Sequence, residues 1–219
     1  MKNKKVLIIQ PHSDDVIFSA SKYLFEKKKY KKVKILTVEY DEKRLEEDKA
    51  FCEHYGVDLT YLKTRVCSEN FHKEYYQQYS EMNEDDCLDF CIKKIGTKQV
   101  DKLSEELIKT LKKYKKNGYE IVTCLGVGHP FHLLVTLITS DIADLFYREF
   151  PHSYKRRNQK YLNFILENDY SLAFEHYDAK QHAEKFESVA KFYKSQKSLL
   201  FFEKRYIDKN LPEQYFKRK

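Results

Sequence analysis

The stretch KKVLIIQPHSDDVIFSASKYLF, residues 4–25, decides how the fold begins. Its apolar run, residues 6–10, is continuous, which is typical of a parallel strand buried on both faces. The polar segment PHSDD, residues 11–15, ends that run. Apolar residues then recur at helical spacing, at Val16, Ile17, Ala20, Tyr23 and Leu24. The stretch therefore predicts a strand, a loop that holds one imidazole and two carboxylates, and a helix.

Strands and helices are predicted to alternate along the rest of the chain. The same patterns predict strands at 33–40, 59–62 and 120–125, and helices at 42–55, 99–116, 132–147 and 178–197. Such alternation favours an α/β fold, a Rossmann-like and mostly parallel sheet with helices on both faces. We expect one domain over residues 1–219, with an insertion at about 65–96 that is rich in Tyr, Gln and acidic residues.

The net charge and the lysine runs indicate whether the protein binds nucleic acid. The 219 residues carry a net charge of +7, a modest excess that does not by itself select nucleic acid. The lysine runs at 27–32 and 112–116 are typical of solvated helix ends and carry no recognised nucleic-acid motif. We therefore expect no nucleic-acid partner, and the sequence leaves homo-oligomerisation open.

The cysteines and the apolar segments predict a location. Five cysteines form no CxxC pair, which is typical of a reducing compartment rather than of a disulfide framework. The first residues offer too short an apolar run for a signal peptide, and no apolar segment is long enough for a membrane span. We expect a soluble, cytoplasmic protein.

Two polar clusters follow predicted strands. His12, Asp14 and Asp15 come after the first strand, and His129 and His132 come after the strand at 120–125. Helix capping is one interpretation of the two carboxylates, because Asp favours helix N-termini. A neutral imidazole gains little at that position, so capping leaves His12 unexplained.

Metal-dependent hydrolysis is the alternative interpretation of both clusters. The carboxyl ends of parallel strands meet at one edge of a sheet, so His12, Asp15 and His132 are expected around one ion. Nitrogen and oxygen ligands suit Zn²⁺ or a similar divalent ion, and three protein ligands leave a position open for water. Asp14 is then free to accept a proton, and His129 to stabilise an oxyanion or protonate a leaving amine.

These motifs resemble the LmbE-like/PIG-L family of metal-dependent N-acetylglucosaminyl deacetylases. The family begins with a strand and a (P/A)HPDDE motif, for which this chain has PHSDDV at 11–16. Its later HPDH-like element corresponds to GHPFHLLV at 128–135. The segments LFYREFPHSY at 145–154 and EKFESVAKFYKSQ at 184–196 are also similar, so the resemblance extends over nearly the whole chain.

The resemblance implies a set of roles and a substrate class. It implies metal ligation by His12, Asp15 and His132, with Asp14 as general base and His129 as the acid or electrostatic partner. It also implies a Rossmann-like fold, a zinc cofactor and hydrolysis of an N-acetyl group on an amino sugar. The arginines of KRRNQK at 155–160 leave open a substrate that is linked to phosphate or a nucleotide.

Three positions depart from the family pattern. Ser13 replaces a proline, Val16 a glutamate and Phe131 an aspartate. The last two changes remove acidic groups that could orient the histidines. Two other interpretations therefore stay open: a catalytically degenerate Rossmann-like protein that binds a sugar or nucleotide, and a metal hydrolase that acts on another bond such as a phosphoester.

Two further groups carry weaker signals. His176, Asp178 and His182 have a spacing that metal ligands use, but surface hydrogen bonding is the simpler interpretation. The KRRNQK segment at 155–160 is interpreted as a solvated turn or as a contact for a substrate phosphate.

Overall fold

A seven-stranded sheet forms the centre of the fold. The computed structural model describes residues 3–39, 41–62, 71–78, 84–196 and 211–219. The strands within them are β1 (Lys5–Gln10), β2 (Lys32–Thr37), β3 (Asp58–Tyr61), β4 (Tyr119–Leu125), β5 (Leu145–Arg148), β6 (Tyr170–His176) and β7 (Glu213–Arg218). Their order across the sheet is β3-β2-β1-β4-β5-β7-β6. The first five strands run parallel, and β7 lies antiparallel between β5 and β6.

Helices cover both faces of this sheet. They are α1 (Asp15–Ser19), α2 (Lys22–Phe25), α3 (Glu42–Tyr55), α4 (Phe71–Gln78), α5 (Glu84–Ile95), α6 (Thr97–Lys116), α7 (Pro130–Thr139), α8 (Gln159–Asn168) and α9 (Ala179–Phe192). Right-handed crossovers put α1 and α3 on one face and α6 and α7 on the other. In agreement, α9 contacts α1 and α3, whereas α5 contacts α6 and α7. The predicted α/β, Rossmann-like class is confirmed.

The chain changes direction across the sheet between β1 and β4. From β1 it proceeds outward to β2 and β3, then returns to place β4 on the opposite side of β1. Open α/β sheets bind their ligands at such a switch point, in the crevice beyond the carboxyl ends of the strands. The two loops that carry the polar clusters follow β1 and β4, so the topology brings them to this crevice.

Apolar strands and helix faces form the core. Val6, Leu7, Ile8 and Ile9 are all 0% exposed, as predicted for a strand covered on both faces. On α6, the buried leucines recur every four residues and face β4 and α7, at Leu103, Leu107 and Leu111. No helix within the described ranges is long and apolar enough to cross a membrane.

The predicted helix at 132–147 is wrong in its second half. Helix α7 ends at Thr139, and Leu145–Arg148 is β5, an interior strand of the sheet between β4 and β7. A short apolar run that is buried on all sides has no periodicity to separate helix from strand, which explains the error. The sequence patterns also missed β6 and β7. Tyr40 and Lys197, the ends of two predicted elements, lie outside the described residues.

The predicted insertion at 65–96 contains two helices in its described part. Helices α4 and α5 occupy 71–78 and 84–95, and α5 contacts α6 and α7. Residues 63–70 and 79–83 lie outside the described residues.

Candidate metal centre

Side-chain hydrogen bonds fix the loop after β1 at both ends. Gln10, the last residue of β1, donates from Nε2 to Thr37 Oγ1 at 2.8 Å. The Gln10 amide oxygen accepts from the backbone N–H of Val16 at 3.3 Å, which ties the strand to the start of α1. In the middle of the loop, Ser13 Oγ donates to Asp48 Oδ2 at 2.7 Å.

Asp48 is a buried anchor for this loop. It is 0% exposed and also accepts hydrogen bonds of 2.7 Å from the hydroxyls of Tyr61 and Tyr193. Burial raises the pKa of Asp48 above its ordinary value, and the three hydroxyl donors and Arg44 oppose that shift.

The two carboxylates of the loop are not conventional helix caps. Asp14 occupies the N-cap position of α1 but makes no side-chain capping bond. Its backbone is left-handed with φ of 86°, a conformation that costs energy for a residue other than glycine and is found at functional sites. Asp15 instead accepts from the backbone N–H of His12 at 2.7 Å. Capping therefore does not account for either carboxylate.

Close backbone contact fixes the loop after β4. Gly126 lies so near α7 that a Cβ there would be 2.3 Å from the backbone carbon of His132. Its N–H donates to Thr136 Oγ1 at 2.8 Å, and that hydroxyl is also 2.9 Å from the carbonyl oxygens of His132 and Cys124. Pro130 stands at the first position of α7, where its missing N–H costs nothing.

The two loops bring four of the five predicted site residues together, namely His12, Asp15, His129 and His132. His12 Nδ1 lies 2.7 Å from His132 Nε2, a hydrogen-bond distance between residues 120 positions apart in sequence. Asp15 Oδ2 lies 3.7 Å from His12 Nδ1 and 3.5 Å from His132 Nε2. The ring of His129 is centred 4.9 Å from that of His12 and 4.5 Å from that of His132.

This group has the chemistry and spacing of a metal site. Ring nitrogens of His12, His129 and His132 lie within 4.8 Å of one another, and all three side chains are buried. Two ligands of a tetrahedral zinc ion, each about 2.0–2.1 Å from the metal, are about 3.3 Å apart. The distances from Asp15 to the two histidines are close to that value. His12 Nδ1 and His132 Nε2, 2.7 Å apart, would have to separate by about 0.6 Å to bind the same ion. The residues present therefore fit a divalent ion with nitrogen and oxygen ligands.

His129 was predicted as a catalytic partner rather than a ligand, but it lies within the same group. Its position leaves two arrangements: a set of three ligands with His129 beside it, or a fourth protein ligand.

Two acidic side chains that sequence reasoning missed stand behind the histidines. Glu39 Oε2 lies 3.0 Å from His12 Nε2, and Glu149 Oε2 lies 3.3 Å from His132 Nδ1. In both histidines these are the nitrogens that face away from the neighbouring imidazole. Both acids follow the carboxyl ends of strands adjacent to β1 and β4, the same positional signal that identified the histidines.

Burial and mutual repulsion raise the pKa values of the acidic groups. Burial raises the pKa of Asp14 to about 7, with Arg44 opposing the shift and Asp48 adding to it. Burial, followed by repulsion from Asp14, raises the pKa of Asp15 well above its ordinary value. Burial also raises the pKa of Glu149 to about 8. A concentration of buried carboxyl groups attracts a cation, which would favour their ionised forms.

Aromatic neighbours hold His129 in place. The Tyr75 ring meets His129 edge to face at 5.4 Å, and the Tyr75 hydroxyl donates to the Gly128 carbonyl at 2.5 Å. On another side, the His152 ring is centred 5.0 Å from His129, and burial lowers the pKa of His152 well below its ordinary value. Because Tyr75 lies on α4, the 65–96 segment contributes directly to the site.

The weaker sequence signals lie outside this centre. His176 Nε2 is 2.9 Å from Gln181 Oε1, and Asp178 caps α9 by accepting from the Gln181 N–H at 2.9 Å. These side chains therefore form hydrogen bonds rather than a metal site. The KRRNQK segment contains a 3₁₀ turn, Arg156–Asn158, and its arginines are exposed.

Comparisons of the chain with protein families, with curated proteins and with solved structures gave no match.

Proposed function

We propose that the protein is a zinc-dependent N-deacetylase that removes the acetyl group from an amino sugar of the N-acetylglucosamine type. The observation that supports this most strongly is the convergence of His12, Asp15 and His132 at the switch point, within 3.7 Å of one another. The resemblance of the same residues to the LmbE-like/PIG-L motifs supplies the reaction and the substrate class.

The side chains divide the chemistry of amide hydrolysis among them. A divalent ion in the site supplies Lewis acidity, lowering the pKa of water and polarising the acetyl carbonyl. Asp14 accepts a proton from the attacking water, which adds to the carbonyl carbon. His129 donates a hydrogen bond to the developing oxyanion or a proton to the departing nitrogen. The C–N bond breaks, and the products are acetate and a free amine.

Two substitutions test the assignment of ligand and base. Asp14→Asn keeps the metal and loses turnover, because the amide cannot accept the proton. His12→Ala loses both, because it removes a ligand. His176→Ala is the matched control, since His176 makes only a peripheral hydrogen bond to Gln181. Near-normal acetate release by Asp14→Asn would contradict its assignment as base.

His129→Ala separates the two arrangements at the centre. If His129 is the acid or electrostatic partner, the variant retains bound zinc and loses turnover. If it is the fourth ligand, zinc affinity falls together with activity. Metal content and acetate release, measured on the same sample, distinguish these results.

A substrate panel tests the choice of bond. Free, phosphate-linked, nucleotide-linked and lipid-linked N-acetyl amino sugars are incubated with the zinc-loaded chain, and acetate and phosphate are both measured. Acetate release supports the proposal. Phosphate release alone would favour a phosphoester hydrolase, and binding without either product a degenerate binding protein.

We further propose that the protein works in the reducing environment of the cytoplasm. The cysteines among the described residues are buried free thiols, at Cys52, Cys87, Cys91 and Cys124. Burial raises the pKa of three of them, Cys52, Cys91 and Cys124, above its ordinary value, so they act as small apolar groups rather than nucleophiles.

A further inference from the structure

Glu149 lies immediately after β5, the strand next to β4, and its side chain is completely buried. One carboxylate oxygen, Oε2, is 3.3 Å from His132 Nδ1 and 3.4 Å from the backbone nitrogen of Val127. The other, Oε1, is 3.9 Å from His152 Nε2. The carboxyl group therefore lies between the loop after β4 and the loop after β5, behind His132.

We propose that Glu149 is the positioning residue of the metal centre, holding His132 in the tautomer whose Nε2 lone pair points at the ion. This role rests on the proposed function. In this role Glu149 acts on His132, a metal ligand, and does not contact the substrate.

The two nitrogens of His132 have different surroundings. Nε2 faces His12 and Asp15, at 2.7 and 3.5 Å, whereas Nδ1 faces Glu149. A neutral imidazole carries one N–H and one lone pair, and the partner of one nitrogen decides the state of the other. Glu149 Oε2, 3.3 Å from Nδ1, is not aligned with it as a hydrogen bond in this structure. A carboxylate this close to Nδ1 nevertheless favours the proton there and leaves the Nε2 lone pair for a metal. Ligand histidines in metalloproteins are usually oriented in this way by a carboxylate.

The position of Glu149 also replaces what the motif lacks. In the family that this chain resembles, an aspartate stands between the two histidines of the second motif. Here Phe131 stands there, fully buried, with its ring 5.3 Å from that of His12. An acid for His132 cannot come from that position. The neighbouring strand supplies one instead, at a place where no local motif would reveal it.

The test uses two variants of the full chain. Glu149→Gln keeps the shape and an oxygen acceptor, whereas Glu149→Leu fills the space without an acceptor. The tautomer of His132 is measured by ¹⁵N NMR of the metal-free protein, with its signals assigned by their loss in His132→Asn. Zinc affinity is measured by competition with a chromophoric chelator. Glu213→Gln controls for lost stability, because Glu213 is a buried acid whose side chain bonds to Ser21, Lys22, Lys185 and Tyr215 and not to the histidines of the metal centre.

We expect the wild-type protein and Glu149→Gln to hold the proton of His132 on Nδ1, with zinc affinities within about tenfold of each other. Glu149→Leu should show mixed tautomers and an affinity reduced roughly 10–100-fold. Glu213→Gln should change neither reading. A structural role alone would lower stability in Glu149→Leu without altering the tautomer.

Two results would overturn the proposal, and they differ in whether the proposed function fails as well. If Glu149→Leu keeps the wild-type tautomer and binds zinc within twofold of the wild-type affinity, Glu149 does not position His132, and the proposed function stands. If the wild-type chain binds no zinc, the proposed function and the role of Glu149 fail together.

Discussion

Replacing Gly126 by alanine should disturb the metal centre without touching any polar group. A Cβ at this position would lie 2.3 Å from the backbone carbon of His132, 2.5 Å from its oxygen and 2.6 Å from the backbone nitrogen of Leu133. All three atoms belong to the first turns of α7, so no side chain can rotate away. The helix that carries His132 must move instead.

The distance that α7 must move sets the size of the expected losses in stability and rate. Ordinary contacts of a Cβ begin near 3.4 Å, so the start of α7 has to shift by about 1 Å, because overpacked cores adapt by backbone movement. Overpacking of this kind costs about 1–3 kcal/mol of unfolding free energy. A displacement of about 1 Å at a catalytic site can cost about 100-fold in rate. We therefore expect Gly126→Ala to lose about 2 kcal/mol, with weaker zinc binding and about 100-fold slower turnover.

Urea unfolding of the metal-free protein, zinc competition and acetate release measure the three effects. Gly118→Ala is the control: a Cβ there meets nothing within 4 Å, but φ is +76°. It should lose about 1 kcal/mol from backbone strain and keep its zinc affinity. If Gly126→Ala binds zinc and turns over as the wild-type protein does, the close contact between the loop after β4 and α7 does not position the site.

Two further variants test the surroundings of the centre. Tyr75→Phe removes the hydrogen bond to Gly128, so we expect a loss of about 1 kcal/mol and reduced turnover with unchanged zinc content; unchanged turnover would separate α4 from catalysis. Burial alone would raise the pKa of Glu213, but Lys185 and nearby donors outweigh it and lower that pKa below 4.5. Its contribution to stability is therefore present above pH 4.5 and is lost as the pH falls through the lowered pKa. Glu213→Gln should cost about 3 kcal/mol at pH 7 and less in acid, measured by urea unfolding across pH; a difference that does not depend on pH would contradict the ion pair.

Sequence patterns predicted the part of the fold that carries the histidines. The runs at 6–10 and 120–125 are strands that are mostly buried. The first is followed directly by the polar segment PHSDD, and the second by GVG and then His129. The carboxyl ends of parallel strands lie at one edge of the sheet, so the sequence alone predicts that His12 and His132 are close together.

The remainder of the site depends on contacts that have no local signature. Glu149 follows a strand that was mistaken for a helix. Glu39 lies within the predicted strand at 33–40, whereas the observed strand β2 ends at Thr37 and leaves Glu39 in the loop after it. Tyr75 reaches His129 from a segment of mixed periodicity. The antiparallel strands β6 and β7 were missed because their pairing joins residues far apart along the chain, for example His176 with Glu213.

The left-handed backbone at Asp14 was equally hidden. The residue pattern is compatible with an ordinary helix cap, whereas the structure shows a left-handed Asp14 between residues that are held by the hydrogen bonds of Gln10, Ser13 and Asp15.

The metal content of the reconstituted chain tests the central claim most directly. After incubation with zinc and removal of the excess, the wild-type protein should retain about one equivalent per chain, whereas His12→Ala and His132→Asn should retain far less. Less than about 0.2 equivalents in the wild-type protein, or the same content in all three proteins, would contradict a metal centre built on these histidines.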